Sequence, residues 1–329
     1  MTFTLVRKLL RDARWALLVV WLILFIFSIL WVKVAQRVTT EIAPFFTAIG
    51  IAAKLPDVKA AIDEVVFRGP GKISQAVLGG SDIRFENPND FLAVEMLHPV
   101  VMILCSLWAV GRAAGAISGE IDRGTMELLM SQPVPRNRLI LAHLIVDALV
   151  IPIICSAILL GTQLGLELAG PFKIDYTVLE KIPKMPAFLQ QPRPEFLEVD
   201  ASGQKFAAMN TAALIFAMSG MTMAVSAFGR NRWRAIAWSV LIVLAMFIAN
   251  VLGQLWDSAA FVRPFTVFYY YQPQKIWLHG NWMAELGDSW NRGQPLLQLP
   301  MVVVLLAFGA VGYAIAWRTF VNRDLPAPL

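Results

Sequence analysis

Six long apolar runs, at about residues 15–35, 96–118, 139–166, 206–228, 235–256 and 299–318, alternate with polar stretches along the chain. Each is long enough for a bilayer core of about 30 Å, which takes roughly 20 helical residues. The first, WALLVVWLILFIFSILWV, has only Ser28 as a polar residue. It reads as an uncleaved anchor, because its apolar run exceeds a usual signal-peptide core and no small-residue cleavage site follows closely. The fourth and fifth runs are separated by GRNRWR alone, Gly229 to Arg234, which predicts a tight helical hairpin. Ahead of the first run, Phe3, Val6, Leu9 and Leu10 alternate with Arg7, Lys8, Arg11 and Arg14 at helical spacing. Residues 1–14 are therefore expected as an interfacial helix lying on a leaflet before the chain turns into the first span. The fold class expected is an all-α polytopic membrane protein, one membrane domain over 1–329, with six transmembrane helices and an amphipathic N-terminal interfacial helix.

The polar stretches differ in character. The loop 36–95 contains a helix-like stretch from Ile42 to Phe67 and a turn-rich RGPGK at Arg68 to Lys72. The loop 167–205 carries Pro171, Pro183, Pro186, Pro192 and Pro194 and reads as extended or irregular. The loop 257–298 contains FVRPFTVFYYYQPQKIWLHGNW, whose aromatic density suits a segment dipping into a membrane interface.

Charge orients the spans. Segments 1–14, 119–138, 229–234 and 319–329, with Arg318, hold 12 Lys or Arg against 5 Asp or Glu. The other three loops are close to charge balance over a far greater length. The positive-inside rule then puts both termini in the cytoplasm. Trp15, Trp31, Trp233, Trp256 and Trp317 fall near span ends, where indole suits the headgroup layer. Composition agrees: 57% of residues are hydrophobic and 16% charged, with a mean hydropathy of +0.62. A net charge of +5 distributed this way is topogenic and implies no nucleic-acid partner. Cys105 and Cys155 both lie inside predicted spans, so neither points to an exported disulfide framework.

The segment Gly119 to Arg138, GEIDRGTMELLMSQPVPRNR, is the most polar and most helix-patterned piece between two spans. Thr125 is expected as N-cap, with Met126, Leu129 and Met130 forming an apolar stripe. Pro133 and Pro135 end the helix, and Arg136 and Arg138 follow where cations suit a helix C-terminus.

Several chemistries lack support. GPGKIS at Gly69 to Ser74 has the wrong spacing for a phosphate-binding loop, so ATP hydrolysis by this chain is not expected. His98, His143 and His279 are scattered and form no metal-ligand pattern. Neither a GxSxG elbow nor an HExxH pair occurs. Within the spans, His143 and Asp147 lie four apart and are expected to pair, buttressing helix packing or, more sharply, forming a proton relay. Arg112 either snorkels or pairs with an acidic neighbour. Asn210 and Asn250 are expected to hydrogen-bond between helices, and the small residues of spans two and four to permit close approach.

The run ISGEIDRGTMELLMSQPVPRNRLILAHL resembles the permease subunits of type-2 ATP-binding-cassette transporters, the ABC-2 family. The positions that carry the likeness are Glu120, Gly124, Thr125, Leu128, Leu129, Pro133 and Arg136, with Glu127 inside the helix. Pro135 stands where the family usually has a small hydroxyl residue. A second likeness is PFTVFYYYQPQKIWLHG, Pro264 to Gly280, which is similar to the family's aromatic-proline segment before the last span. The resemblance implies that 119–138 is a coupling helix seated in a groove of a separate cytoplasmic ATPase. Glu120, Asp122, Arg123, Glu127 and Arg136 would make rim contacts, and Met126, Leu129 and Met130 would bury. It also implies no cofactor in this chain, ATP and magnesium on the partner ATPase, and a second permease copy or related permease. An exporter of the cell's inner (plasma) membrane follows. Two readings compete: an ion-coupled secondary transporter, with Asp147 and Glu167 as its charge candidates, and a non-transporting assembly or sensor component of the envelope.

Overall fold

Local capping chemistry sets the helix boundaries in the computed structural model, which describes residues 2–44, 87–131, 135–176, 195–287 and 295–323. Helix α1 (Thr2–Arg37) is followed by a π-helical turn, Val38–Ile42, where the Thr39 and Thr40 hydroxyls donate back to the Ala35 and Gln36 carbonyls at 2.8 and 2.7 Å. Helix α2 (Pro88–Val94) starts at Asn87, whose side chain accepts from the Asn89 N–H, with Pro88 in the first turn. His98 and Pro99 repeat that device for α3 (Pro99–Ala114), the His98 ring accepting from the Val100 N–H at 3.2 Å. Two short helices, α4 (Ser118–Asp122) and α5 (Thr125–Met130), then precede α6 (Arg136–Ala169). Helices α7 (Gln204–Phe228) and α8 (Arg232–Leu255) form the hairpin that Gly229 to Arg234 suggested. Helices α9 (Pro273–His279) and α10 (Met301–Asn322) follow.

Among the described residues, six helical segments are long and apolar enough to cross a membrane: Thr2–Ile42, Pro88–Ala114, Arg136–Ala169, Gln204–Phe228, Arg232–Leu255 and Met301–Asn322. The chain is an all-α multi-pass membrane protein. The turn expected near residue 14 is absent: α1 runs unbroken through it. Its 36 residues reach about 54 Å at 1.5 Å per residue, well beyond a hydrocarbon core of about 30 Å. The amphipathic stretch is thus the first turns of the spanning helix, kept helical because no Gly or Pro interrupts it.

The tightest helix pair is α7 with α10. A Cβ placed on Gly220 would lie 2.1 Å from the Gly309 carbonyl oxygen, so only glycine lets these backbones approach. Small residues of span four act here as expected. Helices α1 and α8 are the least enclosed of the six, with 22% and 17% of their most apolar windows buried, and both carry exposed apolar side chains.

One end of the bundle gathers the start of α1, α4–α5, the α7–α8 turn and the end of α10. We call it the basic end. The far end is closed by two antiparallel ribbons, β1 (Phe172–Lys173) with β2 (Phe196–Leu197) and β3 (Met283–Leu286) with β4 (Leu297–Pro300). Of the aromatic run expected at the membrane interface, Phe261 and Phe265 are exposed, whereas Tyr269, Tyr270 and Tyr271 are packed inside this end. The Tyr271 hydroxyl donates to the Met96 carbonyl at 2.6 Å, and Asn210 clamps the run by donating to the Tyr270 carbonyl and accepting from the Gln272 N–H, both at 3.0 Å. Asn210 therefore ties a loop to α7 rather than helix to helix. Asn250 accepts from the Arg263 guanidinium at 3.4 Å. Of the five tryptophans near span ends, Trp15, Trp233, Trp256 and Trp317 are exposed, whereas Trp31 donates to the Phe91 carbonyl at 2.9 Å. The stretches Ile42 to Phe67, beyond residue 44, and Arg68 to Lys72, and the prolines from Pro183 to Pro194, lie outside the described residues.

Candidate functional site

The segment between α3 and α6 is built as a bolted unit. Where α3 ends, the Ile117 and Ser118 N–H groups both donate to the Ser226 hydroxyl of α7, at 3.2 and 3.0 Å. That hydroxyl and the Ser118 hydroxyl donate to the Ala114 carbonyl, at 3.0 and 2.6 Å. The terminal carbonyl and amide groups of a broken helix are thereby satisfied by the neighbouring span. On the other side, Asn231 caps α8 through the Arg234 N–H at 3.1 Å and donates to Asp122 at 2.9 Å. One side chain so joins α4 to the α7–α8 hairpin.

Between α4 and α5 the chain reverses at Gly124, φ +68°, a left-handed conformation that a side chain resists. Glu120 locks the reversal: its carboxylate accepts from Arg123 and from the Thr125 hydroxyl, both at 2.5 Å. Thr125 thus sits in the first turn of α5, one position after the cap, and its hydroxyl serves Glu120 instead of the helix amides. The cap is Gly124. Glu120 and Arg123 satisfy each other within the segment, rather than standing free at a rim.

Helix α5 divides its side chains sharply. Met126 is buried in a cluster with Ile117, Leu139 and Ile140 of the segment's flanks, Met223 and Ala227 of α7, and Phe320 of α10. Met126 therefore anchors α5 to its own bundle, which corrects its expected place against a partner. Leu129 and Met130 are half-buried. Leu128, at 70% exposed, is the free apolar side chain, with Glu127 exposed beside it. Pro133 lies outside the described residues. Arg136 begins α6 and donates to the Arg323 carbonyl at 2.6 Å and the Val321 carbonyl at 3.3 Å. Its cation serves the C-terminus of α10 and not that of α5, since tertiary packing brings the α10 carbonyls within reach.

Above this unit lies a buried polar cluster. Arg112 of α3 forms an ion pair with Asp147 of α6, whose side chain is 0% exposed. Arg112 also donates to the His143 carbonyl at 3.3 Å and meets the His143 ring at Nδ1, 3.1 Å away. Because a guanidinium is only a donor, Nδ1 must accept and the ring proton must sit on Nε2. The Tyr313 hydroxyl of α10 donates to Asp147. His143 and Asp147 do share a face, but each engages Arg112 and not the other. The cluster knits the spans on both sides of the segment, α3 and α6, to α10. Tyr313 escaped sequence reasoning because its partner is 166 positions away.

A second buried acid was also missed. Glu95, 0% exposed, accepts from the Thr162 hydroxyl at 2.9 Å, and Gln204 donates to that hydroxyl at 2.6 Å. Its other oxygen has no hydrogen-bond partner among the described residues. Glu167, by contrast, is exposed.

The family model described as ABC-2 family transporter protein matches residues 7–325, nearly the whole chain. The chain belongs to the ABC-2 transporter family. No curated protein and no solved structure matches it significantly. The permease is therefore the membrane component of an ATP-binding-cassette transporter and not itself its ATPase, and membership implies a partner ATPase subunit in general. Within that frame the bolted segment is polar, lies at the basic end and carries Leu128 exposed.

Proposed function

We propose that this permease is half of an exporter of the cell's inner membrane, with both termini and the α4–α5 segment in the cytoplasm. A separate ATPase, which binds ATP and magnesium, seats α5 in a surface groove. Two permease copies, or one with a related permease, enclose the path. The observation that carries the reading is the pairing of an exposed apolar side chain, Leu128, with a segment fixed to α3, α7 and α8. A push on α5 would then move whole spans rather than a slack loop, as switching access between sides requires. The cluster at Arg112 and Asp147 supports the same reading by making α3 and α6 move together.

The test is copurification of tagged permease with its ATPase from the native membrane, followed by hydrolysis measurements. Glu127→Lys with Leu128→Asp should release the ATPase while leaving the permease folded. Retention of the ATPase with unchanged hydrolysis overturns the coupling assignment. The ion-coupled reading draws on Glu95; it requires uptake or release driven by a proton gradient after ATP depletion, abolished by Glu95→Gln.

A further inference from the structure

Between α3 and α8 lies a cavity of about 760 Å³, within the range of ordinary ligand sites. It is elongated. On α8 its lining runs from Arg232 at the basic end to Asn250 near the far end, 18 residues or about 27 Å at helical rise. Most of the wall is hydrocarbon, including Met102, Ile103, Leu107, Leu244 and Phe247.

Arg232 is the cation in that wall. Its stem lies across Gly119 and its Nε comes against Gly115, as Cβ atoms built on those glycines would meet it at 3.4 and 3.6 Å. The Nε is buried without a hydrogen-bond partner among the described residues. Of the acids near the basic end, Glu120 is held by Arg123 and Thr125, Asp122 by Asn231 and Asp147 by Arg112, while Asp12 and Glu127 are exposed. A guanidinium stays charged at any physiological pH, and leaving a buried donor unmade is costly. What that Nε lacks is a hydrogen-bond acceptor, and an anionic oxygen would meet the guanidinium's charge as well.

We propose that this cavity binds a single-chain amphipath, its carboxylate or phosphate head on Arg232 and its long apolar chain between α3 and α8. The length of the slot favours a chain over a compact anion, which would leave the far portion empty. As a statement of substrate class this rests on the exporter reading; the binding itself does not. Gly111 supplies a clean probe. It lines the cavity, and a Cβ built there meets nothing within 4 Å, so a larger side chain enters empty space.

The experiment uses full-length permease in phosphatidylcholine nanodiscs, without ATPase or ATP. Photoreactive palmitate and the matching neutral photoreactive alcohol are crosslinked, and labelled peptides are mapped by mass spectrometry. Palmitate should label peptides of α3 and α8. Arg232→Gln should lower that labelling about tenfold and Arg232→Lys much less, with alcohol labelling unchanged by either. Gly111→Leu should block both probes while thermal stability holds or rises, since leucine is the better helix former. Palmitate labelling indifferent to Arg232→Gln overturns the proposal. So does displacement by phosphatidylglycerol as effective as that by free palmitate, which would make the cavity a resident-lipid groove. Loss of ATPase coupling in the preceding test leaves these outcomes untouched, and the reverse holds.

Discussion

Neutralising one member of the Arg112–Asp147 pair should cost far more than neutralising both. Asp147→Asn preserves volume but leaves a guanidinium facing an amide. Arg112→Met leaves a carboxylate whose side chain is 0% exposed. Breaking a buried pair from one side costs about 3–5 kcal/mol, most of it the uncompensated charge. Arg112 retains 11% exposure, so water reaches it after Asp147→Asn and that variant should fall near the lower bound. Asp147 has no such relief, and Arg112→Met should fall near the upper bound. The double variant buries no charge and keeps Tyr313 hydrogen-bonded to the amide, so it should lose no more than about 2 kcal/mol, about 6 kcal/mol less than the sum of the two singles. Thermal unfolding in detergent micelles, followed by tryptophan fluorescence, reads this as a fall on the order of 10 °C for Arg112→Met and a few degrees for the double variant. A double variant that loses the sum of the two singles would show that the ion pair carries no mutual stabilisation, and the account of the cluster as a clasp between α3 and α6 would fail.

Other expectations concern the segment and the spans. Gly124→Ala should destabilise by about 1 kcal/mol, measured by the same melts, because alanine resists the left-handed conformation at φ +68°; an unchanged melting point would refute that strain. Ser226→Ala removes the acceptor of the Ile117 and Ser118 amides, and should cost about 1–3 kcal/mol and speed amide exchange at those two positions selectively. Gly220→Val should lower the yield of folded permease severely, since a Cβ would sit 2.1 Å from the Gly309 carbonyl oxygen, whereas Gly111→Val should be tolerated. Leu128→Asp should leave the melting point within about 0.5 kcal/mol of equivalent stability, being a surface change, and weaken ATPase retention; a large stability loss would mean that Leu128 packs on its own bundle.

The elements were legible to the extent that their causes are local. Apolar runs longer than a bilayer core and the short Gly229 to Arg234 joint act over local stretches, and the spans lie close to where those signals put them; the caps at Asn87 with Pro88 and His98 with Pro99 are equally local but were not read. Polarity between two spans likewise marked Gly119 to Arg138 before any partner of its residues was visible. What failed were assignments that depend on distant neighbours. Arg136 reads as a cap for the helix just before it, yet its acceptors are the α10 carbonyls, 185 and 187 positions away. Met126 has the spacing of a docking stripe, but the cluster that buries it comes from α6, α7 and α10. The aromatic run from Phe268 to Tyr271 has the composition of an interface belt; Asn210 and Met96 supply the hydrogen bonds that make its burial affordable.

Sequence alone determined that this protein lives in a membrane, how many times the chain can cross it, and which segment is polar enough to meet a soluble partner, because hydropathy and charge are summed along the chain. Tertiary structure decided which of that segment's side chains are free. Leu128 points out and Met126 in, Glu120 locks a turn, and the Arg232 Nε has no hydrogen-bond partner among the described residues beside an apolar slot. Those outcomes depend on which helices lie side by side, and periodicity along one helix carries no information about its neighbours.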